Sequence, residues 1–130
     1  MIKTKTEFNK AIFDLCKKLT EDALVYYEKF DHIRGCVFKT DGGRKYIKVK
    51  YWTTNLERDY ETGEETLIKS KNGSIHCFVE STTGDIYKPA GWKSPHLKGD
   101  AVRGNIFDST TFKNTDPHGG WLYHNSMRSN

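Results

Sequence analysis

The stretch "DGGRKYIKVKYWT", residues 41–53, decides how the rest of the chain is read. From Arg44 onward it alternates strictly. Ile47, Val49 and Tyr51 fall on one side of an extended strand, and Arg44, Tyr46, Lys48, Lys50 and Trp52 on the other. Such a strand buries one face and leaves the other to solvent or to a partner. The "DGG" before it is a hairpin turn signal, so "CVFK" at 36–39 is predicted to be its antiparallel neighbour.

Toward the N-terminus the period changes from two to about 3.6. Phe8, Ile12, Leu15, Leu19, Ala23, Tyr26 and Phe30 recur at three- and four-residue steps, and Thr4 followed by Glu7 forms a capping box. A helix over 4–30 is predicted, with its stripe packed on the sheet. Toward the C-terminus, "TLIKS" (66–70), "IHCFVE" (75–80) and "IYKPA" (86–90) read as further strands. Pro89 ends the last of these or places it at an edge. "KNGS" (71–74) reads as another hairpin turn, and 54–66 as a long loop or a protruding hairpin of unsettled register. Residues 109–130 read as a loop-like tail in which "GGWLYH" docks one aromatic turn. The expected fold is a single α+β domain, a helix on an antiparallel meander, with the sheet and a basic turn-rich arm spanning 36–108.

The 130 residues are 35% hydrophobic and 13% aromatic, which favours a thin core built on large rings over a disordered chain. The net charge of +4 is unevenly distributed. Residues 57–65 hold five acids and one base, so the positive excess lies elsewhere and favours an anionic partner. Cys16, Cys36 and Cys77 are odd in number and widely spaced. They suit buried free thiols in a reducing cytoplasm better than a disulfide framework. No signal peptide or membrane-spanning run is expected. The five histidines show no zinc-ligand spacing, and no nucleophile or carboxylate signature stands out. No metal, cofactor or catalytic residue is predicted, and the chain reads as a binding protein rather than an enzyme.

Two regions carry binding chemistry. The Arg44 strand interleaves cations with Tyr46 and Trp52, rings on which bases stack beside phosphate-binding groups. The arm "YKPAGWKSPHLKGDAVRGN" (87–105) sets Lys88, Lys93, Lys98 and Arg103 among glycines and prolines, with Trp92 between them. Gly-rich backbone of this kind exposes N–H groups to anions, although no phosphate-loop signature is present.

"GRKYIKV" (43–49), "SIHCFVESTTGDIYKPAGWKSP" (74–95) and "VRGNIFD" (102–108) resemble small, mostly uncharacterised proteins of tailed bacteriophages. The resemblance implies a phage accessory protein working in the cytoplasm of an infected bacterium. The leading functional expectation is sequestration of a phosphorylated, nucleotide-type immune signal, an anti-defence role. In it Arg44, Lys48, Lys88, Lys93 and Arg103 neutralise phosphates. Tyr46, Phe78 or Trp92 stacks on a base, and Asn105 reads polar edges. The pocket is expected between protomers of a homo-oligomer. The alternative is a module that lays single-stranded nucleic acid across the sheet. A third reading is an inhibitor docking on a host enzyme through residues 57–65.

Overall fold

A computed structural model describes residues 4–29, 34–70, 73–99 and 101–123. Helix α1 spans Lys5–Tyr27. Thr4 caps it by accepting the Glu7 backbone N–H at 3.1 Å, while the Glu7 carboxylate accepts the Thr4 N–H at 2.9 Å. That reciprocal cap gives acceptors to two of the orphan donors at a helix start, which is why the helix begins here. The stripe Phe8, Ile12, Leu15, Leu19 and Ala23 is buried against the sheet. The helix stops at Tyr27, short of the expected residue 30. Tyr26 is largely exposed, and Phe30 lies outside the described residues.

The strands are β1 (Gly35–Thr40), β2 (Tyr46–Arg58), β3 (Glu65–Lys69), β4 (Ser74–Glu80), β5 (Asp85–Tyr87) and β6 (Gly104–Asn105). They form one antiparallel sheet in the order β1-β2-β4-β5-β6, with β3 also paired to β2. The helix-on-sheet α+β architecture is therefore the one the alternation at 44–53 implies. The β1–β2 hairpin closes through Asp41 N–H to Lys48 O (2.9 Å) and Lys48 N–H to Gly42 O (3.1 Å). A Cβ at Gly43 would lie 2.1 Å from the Tyr46 carbonyl oxygen, so only glycine fits this turn. Arg44 and Lys45 belong to the turn, and the strand starts at Tyr46 rather than at Arg44.

β2 runs five residues past the expected Thr53. Its outer half pairs with β3 from Thr54↔Lys69 to Arg58↔Glu65, so 54–69 is a protruding hairpin. Thr54 is paired with Gly35 on one edge and Lys69 on the other, which puts β3 on the same edge of β2 as β4. β3 and β4, on either side of "KNGS", both pair with β2 and not with each other. Residues 71 and 72 of that stretch lie outside the described set.

The pairing of β4 with β2 slips at its centre. Val49 faces Cys77 and Lys50 faces Ile75, leaving His76 as the extra residue of a bulge. The bulge turns His76 toward the helix side, where its ring lies 5.2 Å from Phe38 and 5.9 Å from Trp121. On this covered face sit Cys36, Phe38, Ile47, Val49, Tyr51, Cys77, Val79 and Ile86.

The C-terminal segment, expected as a loop-like tail, completes that layer. It carries α2 (Ser109–Asn114) and a 3-10 turn (Gly120–Leu122). Asp116 builds the turn by accepting the backbone N–H groups of His118, Gly120 and Trp121. Trp121 and Leu122 are buried in the core, as the docked aromatic turn requires. Thr115 ties the segment to α1 through its hydroxyl, which donates to the Asp22 carboxylate at 2.9 Å.

Candidate functional site

With α1 and the C-terminal turn on one side of the sheet, the register fixes what the other side shows. Val37 faces Trp52, Lys48 faces Phe78, Lys50 faces Ile75, and Phe78 faces Tyr87. Tyr46, Lys48, Lys50 and Trp52, each half-buried, therefore line up on the face turned away from α1 (the uncovered face), as alternation predicts, with buried Phe78 and Tyr87 beside them.

The centre of this face is a cation–aromatic stack. The Lys50 ammonium lies 5.3 Å from the Trp52 ring centroid and 5.8 Å from that of Trp92, which reaches in from the arm. The Lys69 ammonium, from β3, also lies over Trp52, 5.1 Å from its ring centroid. Asp41 pairs with Lys50 at 3.0 Å. These contacts order Lys50, so its charge positions the two indoles more than it invites a new anion. Gly73 is packed so closely that a Cβ there would meet Trp52 at 2.7 Å, which holds the indole in place. Trp92 is 59% exposed. The arm is not anchored by Trp92. It is held by a Pro89–Pro95 bridge, by His96 N–H to Lys88 O at 2.9 Å and by buried Ala101. A shallow hollow of about 260 Å³ opens beside it, lined by Ile75, Pro89, Ala90, Gly91 and Trp92.

The residues expected to form one pocket are dispersed. Lys48 is half-buried on the uncovered face, and Lys93 is exposed on the arm beside Trp92. Tyr46 is on that face too, its ring 5.8 Å from Tyr87 and 5.5 Å from the Lys45 ammonium. Phe78 is only 1% exposed and offers no ring to a ligand. Arg44 is exposed in the hairpin turn. Lys88 is directed to the covered side, where its ammonium lies 4.6 Å from the Tyr123 ring. Arg103 precedes β6, half-buried, with its backbone N–H on Ile86 O at 2.7 Å.

Asn105 serves the fold. Its amide nitrogen donates to Thr83 O and the Asp85 carboxylate, and its amide oxygen accepts the Phe107 N–H at 2.8 Å. Lys50, Trp52 and Lys69 lie outside the expected ligand set yet form the best-defined cluster. Alternation already placed Lys50 and Trp52 on the Tyr46 face. Lys69 joins them only through the β2–β3 register.

The titratable groups of the interior are held neutral. Burial pushes the Cys16 thiol up to about 11 and Cys77 well above its usual range, which leaves both unreactive. Burial and then the hydrogen bond to Glu80 raise Tyr87 to about 12, with its hydroxyl donating to the Glu80 carboxylate at 3.1 Å. Burial lowers His76 to about 4, so its Nε2 is free to accept the Trp121 indole N–H at 3.1 Å. Among the described residues, no three His, Cys, Asp or Glu side chains converge as metal ligands. No described helix is long and apolar enough to cross a membrane.

Fold and site together define a small α+β domain whose sheet is covered on one face and carries an aromatic and cationic strip on the other. The chain matches a family of unknown function, DUF7717, over residues 1–124, and it belongs to that family. Neither a curated protein nor a solved structure matches it.

Proposed function

We propose that the chain is a non-catalytic binding module that lays single-stranded nucleic acid across the uncovered face of its sheet. The observation that carries this reading is the Trp52–Lys50–Trp92 stack with Lys69 beside it. The exposed Trp92 ring, with half-buried Trp52 beside Lys50, can take a base of any sequence, and flanking cations such as Lys48 and Lys93 meet the phosphates. The cellular setting attached to it is the one the phage resemblance implies, the cytoplasm of an infected bacterium.

A sequestered mononucleotide is less well supported. Enclosed small-molecule sites run to roughly 300–1,000 Å³, whereas the hollow beside Trp92 is about 260 Å³. Among the described residues, none of four larger grooves, three bordering α1 and one on the protruding hairpin, is lined by Arg44, Lys48, Lys88, Lys93 or Arg103. The phosphate-binding residues of that reading also lie on both sides of the sheet.

Tryptophan fluorescence during titration with oligothymidylates of increasing length, at two salt concentrations, separates the readings. Nucleic-acid binding predicts affinity that rises with length and falls with salt. Trp92→Ala should weaken it by roughly 1–3 kcal/mol, the usual worth of one base stack. Length-independent binding matched by cyclic mononucleotides would favour a pocket ligand instead. No quenching by either class would remove the basis of both.

A further inference from the structure

The flank of α1 beside strand β1 is chemically a palindrome. Phe13 and Leu24 stand 65% and 61% exposed near its two ends. Eleven residues apart, they are separated by about 16 Å along the helix. Between them lie Lys17 and Glu21, both exposed. The ion pairs of this helix, Lys10–Asp14 and Lys18–Asp22, use neither, and the two pairs elsewhere among the described residues do not either. A groove of about 730 Å³ runs along this flank, floored by Ile12, Cys16 and Phe38. A second groove of about 430 Å³ continues it past Leu24 to Leu56 and Leu67 on the protruding hairpin.

The edge strand at the groove is already sealed at its centre. The Phe38 backbone N–H donates to the Thr20 hydroxyl at 3.1 Å, and that hydroxyl donates onward to Cys16 O at 2.8 Å. An incoming strand would have to displace this contact, so the surface suits side chains rather than strand addition.

We propose that this flank is a two-fold interface with a second copy of the chain, α1 against α1 in antiparallel. A two-fold axis near residues 18–19 sets Phe13 against the other copy's Leu24 and Lys17 against its Glu21. The apolar ends and the opposite charges are then satisfied at once. Isologous contacts demand this self-complementarity, with residue i meeting j while j meets i. The interface leaves the Trp52–Trp92 face open and does not depend on what that face binds.

Sedimentation of the full chain at tens of micromolar should give twice the monomer mass, and Phe13→Glu or Leu24→Glu should give the monomer. Both positions are exposed, so the variants should keep the helical circular dichroism of the parent. Lys17→Glu and Glu21→Lys should each weaken association roughly tenfold by setting like charges together in both symmetry copies. The double variant restores opposite charges and should restore the dimer. A monomeric parent, a dimer indifferent to Phe13→Glu, or a double variant no better than the singles would overturn the interface.

Discussion

Acid should destabilise this protein through one histidine. His76 is 4% exposed and surrounded by the rings of Phe38, Tyr51 and Trp121. Its Nε2 accepts the Trp121 indole N–H, which fixes the neutral tautomer with the proton on Nδ1. Protonation would place two donors face to face in a site without water-like solvation. Burial is the main cause of the lowered pKa. Asp116 opposes it and His118 adds to it. The unfolded chain takes up this proton near pH 6.5, the folded chain only near 4. Stability is therefore complete above about pH 6.5 and is lost progressively as the pH falls toward 4. At about 1.4 kcal/mol per pH unit, the loss comes to about 3 kcal/mol. A domain of this size has roughly 5–15 kcal/mol in all, so the effect is large.

Urea unfolding at half-unit steps from pH 7.5 to 4 measures it, with His76→Gln as the reference. The amide oxygen of Gln can accept the indole N–H but does not titrate. The variant should be less stable at neutral pH, by roughly 1–3 kcal/mol for the lost ring packing. It should then lose less stability on acidification, so the two curves converge. Carboxylates titrate in both proteins and cancel in the difference. Parallel curves would show that His76 does not carry the acid sensitivity, and the account of its burial would fall.

Three further outcomes follow from the placement of side chains. Asn105→Ala should lower stability by roughly 2–3 kcal/mol, since its three hydrogen bonds, to Thr83, Asp85 and Phe107, are lost. Oligonucleotide affinity measured below its melting temperature should be unchanged. Lys48→Ala should reduce the salt dependence of oligonucleotide binding by about one phosphate contact. Lys88→Ala, on the covered side, should leave that slope as it is. Trp121→Ala should cost roughly 3–5 kcal/mol by thermal unfolding, the range for a buried aromatic.

The parts of the fold legible in the sequence are those where a local pattern and its tertiary use agree. The Thr4–Glu7 cap and the Phe8-to-Ala23 stripe mark α1 because both are local to one helix. Ile47, Val49 and Tyr51 mark the covered face of β2 because strand period alone assigns them. The outer half of β2 was legible only as one of two alternatives, loop or protruding hairpin, and the structure makes it the hairpin. Asn55 and Glu57 have weak strand character, and this half of β2 is extended because β3 pairs with it, as in the Arg58–Glu65 ion pair at 2.9 Å. The His76 bulge was hidden for a similar reason: a slip of one residue between β2 and β4 leaves no mark in either strand's own pattern. The site was legible by face and not by distance. Alternation could place Lys48, Lys50 and Trp52 together. Only the path of the arm could bring Trp92 to Lys50 and send Lys88 to the opposite side.

The asymmetry between the two faces bears on what the sheet is for. A sheet with one solvated face normally fills it with residues that solvent tolerates cheaply. Here the inner half of that face instead carries Tyr46, Trp52, Phe78, Tyr87 and, from the arm, Trp92. Part of this aromatic surface is used internally: Phe78 is buried, and Tyr87 is fixed to Glu80. Packing explains those two rings. It does not explain Trp92, which is more exposed than buried on a segment already held by its proline bridge and by Ala101. Nor does packing alone call for Lys50 and Lys69, whose ammonium groups lie over the Trp52 ring. Lys50 lies within cation–π reach of both indoles, and Trp92 is the more exposed of the two. A flat, cation-flanked ring surface of that kind suits a stacked base more than it suits the core.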